Sequence, residues 1–128
     1  MRIEHLAIWV EDLELVRQFY MTYFEMSCNN KYVNPKRGFS SYFLSFGDGK
    51  TRIELMHIPN MPEPAVRGQM KGLAHIAISV GSKERVDNLT EQLRKEGYTI
   101  AGEPRTSGDG YYESVVLDPE GNWVEIVV

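Results

Sequence analysis

The sequence predicts an α+β protein built from two tandem β-α-β-β-β modules, residues 1–58 and 73–128, joined by a linker at 59–72. Three observations carry that prediction. The stretch Ile3-Glu4-His5-Leu6-Ala7-Ile8-Trp9-Val10 returns as Leu73-Ala74-His75-Ile76-Ala77-Ile78-Ser79-Val80. Arg52-Ile53-Glu54-Leu55 returns as Trp123-Val124-Glu125-Ile126. His75 follows His5 by 70 positions and Glu125 follows Glu54 by 71, so one duplication accounts for both pairs. The third observation is order: in each copy an alternating, β-branched run precedes a helix-periodic run, and further strand-like runs follow.

The elements follow in sequence. The first strand covers about 2–10. Asp12 can then N-cap a helix over 13–25, in which Leu13, Val16, Phe19, Tyr20, Tyr23 and Phe24 recur with helical spacing. In the second copy Ser82 is the cap, Val86, Leu89 and Leu93 make the stripe, and Gly97 suits the left-handed C-terminal position. Strand-like runs follow at 27–33, 39–47 and 50–58, and again at 98–103, 112–118 and 122–128. Gly47-Asp48-Gly49 and Asp118-Pro119-Glu120-Gly121-Asn122 fall between the last two runs of each copy as hairpin turns. Pro59-Asn60-Met61-Pro62-Glu63-Pro64 opens the linker.

Composition bounds the function. The chain has 128 residues, 42% of them apolar and 25% charged, an ordinary globular balance. Its net charge of −4, with both signs interspersed, offers no Lys/Arg stripe for nucleic acid or an anionic membrane. Cys28 is the single cysteine, which excludes a disulfide framework and fits a reducing, cytoplasmic setting; a lone thiol of this kind reads as packing. The start Met-Arg-Ile-Glu-His carries charges where a signal peptide needs an apolar run, and no stretch reaches transmembrane length.

Strand parity assigns the polar residues to a face. Leu6, Ile8 and Val10 oppose His5, Ala7 and Trp9; Ile76, Ile78 and Val80 oppose His75, Ala77 and Ser79. Likewise Ile53 and Leu55 oppose Glu54, and Val124 and Ile126 oppose Glu125. His5, Glu54, His75 and Glu125 are thus expected opposite the helix-packing face, lining a cleft if the sheets curve toward each other, whereas His57 has the other parity. A single strand histidine is usually a hydrogen-bonded structural residue, and a single inward Glu is usually half of an ion pair. The same two types at matching positions in both copies argue for more. Two imidazoles and two carboxylates suit a divalent ion such as zinc, nickel, cobalt, manganese or iron. Two Glu in one cleft without a cation would repel. Such an ion is a Lewis acid toward a carbonyl, and an adjacent Glu can move a proton between neighbouring carbons. Trp9 and Trp123 fall on the same face and are candidates for walling a substrate pocket.

These residues resemble those of the vicinal-oxygen-chelate superfamily, which includes glyoxalase I, extradiol dioxygenases, methylmalonyl-CoA epimerase and the fosfomycin and bleomycin resistance proteins. The similarity spans the chain and is densest at residues 3–8, 74–77 and 117–126. The resemblance implies paired β-α-β-β-β modules forming a curved mixed sheet around a metal-binding cleft. Dioxygenases typically carry His at the position of Glu54 and the epimerase type Gln, whereas the set His5, Glu54, His75 and Glu125 looks most like glyoxalase I. By that resemblance one divalent metal, nickel or zinc first, holds an enediolate made from a methylglyoxal hemithioacetal. Glu125 is then the catalytic base, with Glu54 the opposing carboxylate. Alternatives on this scaffold are an epimerase, a dioxygenase or a non-enzymatic drug- or metabolite-binding protein. Bacterial glyoxalase I commonly grips glutathione with an Arg four residues after its first His and an Asn four after its first Glu. Trp9 and Ile58 stand at those offsets here, which leaves the thiol cosubstrate open; Lys36, Arg37 and Arg105 are the cations at hand for an anionic substrate. The resemblance also implies a small-molecule substrate and a homodimer.

Overall fold

The computed structural model describes every residue except Asp48, so the middle of the expected Gly47-Asp48-Gly49 turn lies outside the described residues. The chain divides into two compact units, Met1–Glu63 and Pro64–Val128. Each is one helix on one mixed sheet.

The first unit contains β1 (His5–Trp9), α1 (Leu13–Tyr23), β2 (Ser27–Cys28), β3 (Tyr32–Asn34), β4 (Phe39–Ser45) and β5 (Arg52–His57). Its sheet runs β1-β5-β4-β2, with β3 also pairing to β4; β1 is parallel to β5 and β4 antiparallel to it. Asp12 caps α1 by accepting from the backbone N–H groups of Glu14 and Leu15, each at 3.0 Å. The helix stops at Tyr23, two residues earlier than expected, and Glu25 takes a left-handed φ of 54°. Val16, Phe19 and Tyr20 are buried, as are Leu44, Ile53 and Leu55 of the sheet. The single run expected at 27–33 is two short strands. Asn29 replaces regular pairing there: its side-chain oxygen accepts from the Phe43 N–H at 2.7 Å, while its own N–H donates to the Phe43 carbonyl at 3.1 Å.

The second unit contains β6 (Ile76–Ser79), α2 (Lys83–Lys95), β7 (Ile100–Thr106), β8 (Tyr112–Leu117) and β9 (Trp123–Val127), ordered β6-β9-β8-β7. Again the first strand is parallel to the last. Ser82 accepts from the Arg85 N–H at 3.2 Å, and Gly97 adopts φ +90° beyond the helix end, where Tyr98 N–H reaches the Leu93 carbonyl. The buried stripe is Val86, Thr90 and Leu93, with the expected Leu89 only half-buried. Thr90 is admitted because its hydroxyl bonds the Val86 carbonyl (2.6 Å) and Ser114 (2.7 Å). β7 runs on to Thr106, past the expected 103; it is an edge strand with register shifts, which tolerates Pro104. No helix among the described residues is long and apolar enough to cross a membrane.

One contact ties the first helix to its sheet with a pH signature. The Tyr42 hydroxyl donates to Glu14 at 2.8 Å, and this bond is the leading cause holding the Glu14 carboxyl below its ordinary value. A depressed folded pKa stabilises above the ordinary Glu range, and that contribution is lost as pH falls through the folded value. Tyr42→Phe is therefore expected to move acid unfolding to higher pH. Because Glu14 is half-exposed, the cost at neutral pH is at most about 1 kcal/mol. Urea melts between pH 3 and 7 read both.

Candidate metal centre

The same construction places one His–Glu pair in each unit. Parallel pairing of β1 with β5 sets His5 beside Arg52 and Ala7 beside Glu54; pairing of β6 with β9 sets Ala77 beside Glu125. On these strands Ile53, Leu55, Val124 and Ile126 are buried, and the alternate residues Glu54 and Glu125 point the other way. His5 Nε2 lies 3.8 Å from Glu54 Oε2, and His75 Nε2 lies 3.3 Å from Glu125 Oε2. The carboxylate side chains are 15% and 20% exposed and the imidazoles 39% and 42%, so each acid sits deeper than its histidine. Ala7 and Ala77, the next residues on the histidine parity, are small. His57 is used otherwise: its Nδ1 bonds the Val10 carbonyl at 3.0 Å.

The donor chemistry fits a divalent ion. With metal–ligand bonds of about 2.1 Å, two ligands of one ion stand roughly 3–3.5 Å apart. The second pair falls inside that range and the first lies slightly outside it. Each unit by itself brings two of these donors together, and among the described residues no group of three or more His, Cys, Asp and Glu side chains is gathered to hold an ion.

The surroundings of the two pairs differ. Beside the first, the Glu4 carboxylate takes hydrogen bonds from His5 Nδ1 and from Arg52, and the bond to His5 is the leading cause lowering the Glu4 carboxyl below its ordinary value. Phe43 packs edge-on to His5. None of Glu4, Arg52 and Phe43 was singled out by the sequence reading. Glu4 has the parity opposite to His5, and Arg52 is recognisable only once the register of β1 on β5 is known. Beside the second pair stands Trp123. A Cβ on Gly68 would come within 2.7 Å of its indole, so the chain crosses the ring there as glycine, at φ +71°. Arg67 Nη1 donates to Asn122 Oδ1 at 2.9 Å. Trp9 is exposed and meets Phe39 edge-on, with centroids 6.3 Å apart.

Asp118 fixes the turn that leads into β9. Its carboxylate accepts from the N–H groups of Glu120 (3.0 Å) and Asn122 (2.9 Å) and from Asn122 Nδ2 (2.8 Å). Burial pushes this carboxyl up, against the downward pull of those bonds. Burial also raises the Cys28 thiol, which keeps it protonated and suits packing rather than nucleophilic work. Arg105 is engaged by Glu113 at 3.5 Å.

The fold is a duplicated β-α-β-β-β chain that carries a matched His–Glu pair in each copy. The chain belongs to the Glyoxalase/Bleomycin resistance protein/Dioxygenase superfamily, whose family model matches residues 2–126. Within it the chain is glyoxalase I-like. It is 29% identical to the uncharacterized protein YqjT of Bacillus subtilis, over 98% of this chain and 97% of that one. Mitochondrial methylmalonyl-CoA epimerase of Homo sapiens is 26% identical, over 73% of this chain and 59% of the epimerase. Among solved structures, glyoxalase I of Zea mays superposes with a TM-score of 0.81 at 25% identity, covering 98% of this chain and 44% of the maize enzyme. The trypanothione-dependent glyoxalase I of Leishmania major superposes with a TM-score of 0.78 at 26% identity, covering 99% and 86%.

Proposed function

We propose that this protein is a metal-dependent lyase/isomerase of the glyoxalase I type, acting on the hemithioacetal of a small α-oxo aldehyde. The observation that carries the reading is the recurrence of one His Nε2–Glu Oε2 pair, at 3.8 and 3.3 Å, on the same face of both sheets. His5, Glu54, His75 and Glu125 would together hold one divalent ion, nickel or zinc first, with each chain supplying the set either alone or across a homodimer. The ion would polarise the substrate carbonyl as a Lewis acid.

The chain's own residues supply the proton transfer. Glu125 removes the proton from the carbon bearing sulfur and returns it to the neighbouring carbon, while the hydroxyl proton of the hemithioacetal passes to the ketone oxygen, so the hemithioacetal carbon becomes a thioester carbonyl and the ketone a secondary alcohol. Glu54, the carboxylate of the other pair, would assist. Trp9 and Trp123 are the proposed apolar walls for the substrate. The thiol is not fixed by this reading. The trypanothione-dependent neighbour supports a carrier other than glutathione, as do Trp9 and Ile58 at the offsets where bacterial enzymes commonly carry Arg and Asn.

The human epimerase likeness favours a second reading, in which the same base exchanges a proton beside a thioester carbonyl. One experiment separates them. Metal-stripped protein is offered methylglyoxal with glutathione or another thiol, and in parallel a 2-methyl-branched acyl thioester in D2O, before and after adding Ni²⁺, Zn²⁺, Co²⁺ or Mn²⁺. Isomerisation restored by one of these ions is expected. Deuterium exchange into the thioester without isomerisation would transfer the protein to the epimerase reading, and neither activity with any ion would contradict both.

A further inference from the structure

Glu4 stands one residue before β1 and touches the candidate centre from outside the strand. Its Oε2 accepts from His5 Nδ1 and its Oε1 from Arg52 Nη2. The Arg52 guanidinium carbon lies 4.1 Å from the centroid of Phe43, and Phe43 meets the His5 ring edge-on at 5.4 Å. The imidazole is thus held at one nitrogen and along one side, leaving Nε2 directed at Glu54.

An ionised carboxylate only accepts hydrogen bonds, so His5 Nδ1 must carry the hydrogen, and in the neutral ring Nε2 then carries the lone pair. A free histidine side chain prefers the opposite tautomer. The nitrogen that Glu4 leaves free is the one facing Glu54, in the form that binds a divalent ion. The second copy has no such device. Ala74 stands where Glu4 does and Trp123 where Arg52 does, and Val115 pairs with Glu125 as Phe43 pairs with Glu54.

We propose that Glu4, buttressed by Arg52, is a positioning residue that locks His5 as the Nδ1–H tautomer and makes the first His–Glu pair the pre-organised half of the metal centre. The proposal rests on the metal reading for its purpose and on the Glu4–His5–Arg52 geometry for its substance.

The test is a long-range ¹H–¹⁵N correlation spectrum of the metal-free protein at pH 8.5, for wild type, Glu4→Gln and Glu4→Ala. Co²⁺ affinity is measured on the same samples. His57, whose Nδ1 must donate to the Val10 carbonyl, gives an Nδ1–H reference in each spectrum. Wild-type His5 is expected to match that reference. Glu4→Ala should shift His5 alone toward Nε2–H and weaken Co²⁺ binding by roughly 10–100-fold. Glu4→Gln, whose amide oxygen still accepts, should lie between. Wild-type His5 already in the Nε2–H form, or Glu4→Ala leaving either the tautomer or the Co²⁺ affinity unchanged, would overturn the proposal. Should wild type bind no Co²⁺ at all, the metal reading fails, while the spectra still decide whether Glu4 sets the tautomer.

Discussion

Glu125→Gln is expected to lower kcat by roughly 10²–10⁴-fold while leaving the fold intact. The substitution is isosteric, and the side chain lies on the face of β9 opposite the buried Val124 and Ile126, with His75 as its neighbour. No core contact is removed, so the thermal midpoint should stay close to that of wild type. What is removed is the group proposed to take the proton. Glu54→Gln, on the matching strand, should cost less in turnover if Glu125 is the base. Steady-state kinetics on both variants, each loaded with the ion that activates wild type, distinguishes the two carboxylates. An undiminished kcat in Glu125→Gln would remove it from that role.

Asp118→Ala is expected to be the most destabilising single change near the site, by about 2–4 kcal/mol, since each donor left unpaired out of water costs about 1–3 kcal/mol. Asp118 is 4% exposed and accepts three hydrogen bonds from Glu120 and Asn122. The turn it holds sets Leu117 opposite Trp123, and hence the register that aims Glu125. Asp118→Asn keeps an acceptor and the shape, and should cost less. The two variants also differ from wild type in pH response. Burial raises the folded carboxyl above its unfolded value of about 3.8, so the folded state holds the proton more tightly. The contribution of this group to stability is therefore greatest below that value and declines as pH rises through the folded pKa. The difference in urea unfolding free energy between wild type and Asp118→Asn, in which every other titrating group is common to both, should show that decline across pH 3–7.

The parts of this fold that were readable from sequence were those governed by local rules. Period-two alternation is enough to put Glu54 and Glu125 opposite Ile53, Leu55, Val124 and Ile126, and to set His57 apart. The Asp12 and Ser82 caps and the turn at Gly97 depend on a few consecutive residues, and the structure has them where they were expected. What escaped depends on partners distant in sequence. Asn29 interrupts its strand only because Phe43 offers both backbone groups. Thr90 enters the buried stripe because its hydroxyl is paired with Ser114. Glu4 has the parity opposite to His5 and stands one residue before β1, so alternation alone gives no reason to set it against the His5 ring. Gly68 meets Trp123 across 55 residues of chain, a contact no local pattern encodes.

The central claim is that the two matched His–Glu pairs are ligands of one kind of metal centre. Equilibrium dialysis of metal-free protein against Ni²⁺, for wild type and for His5→Ala, Glu54→Gln, His75→Ala and Glu125→Gln, tests it most directly. The account predicts one tightly held ion per chain in wild type, with affinity lowered by every one of the four substitutions. No bound ion in wild type, or wild-type affinity after loss of His75 or Glu125, would contradict it.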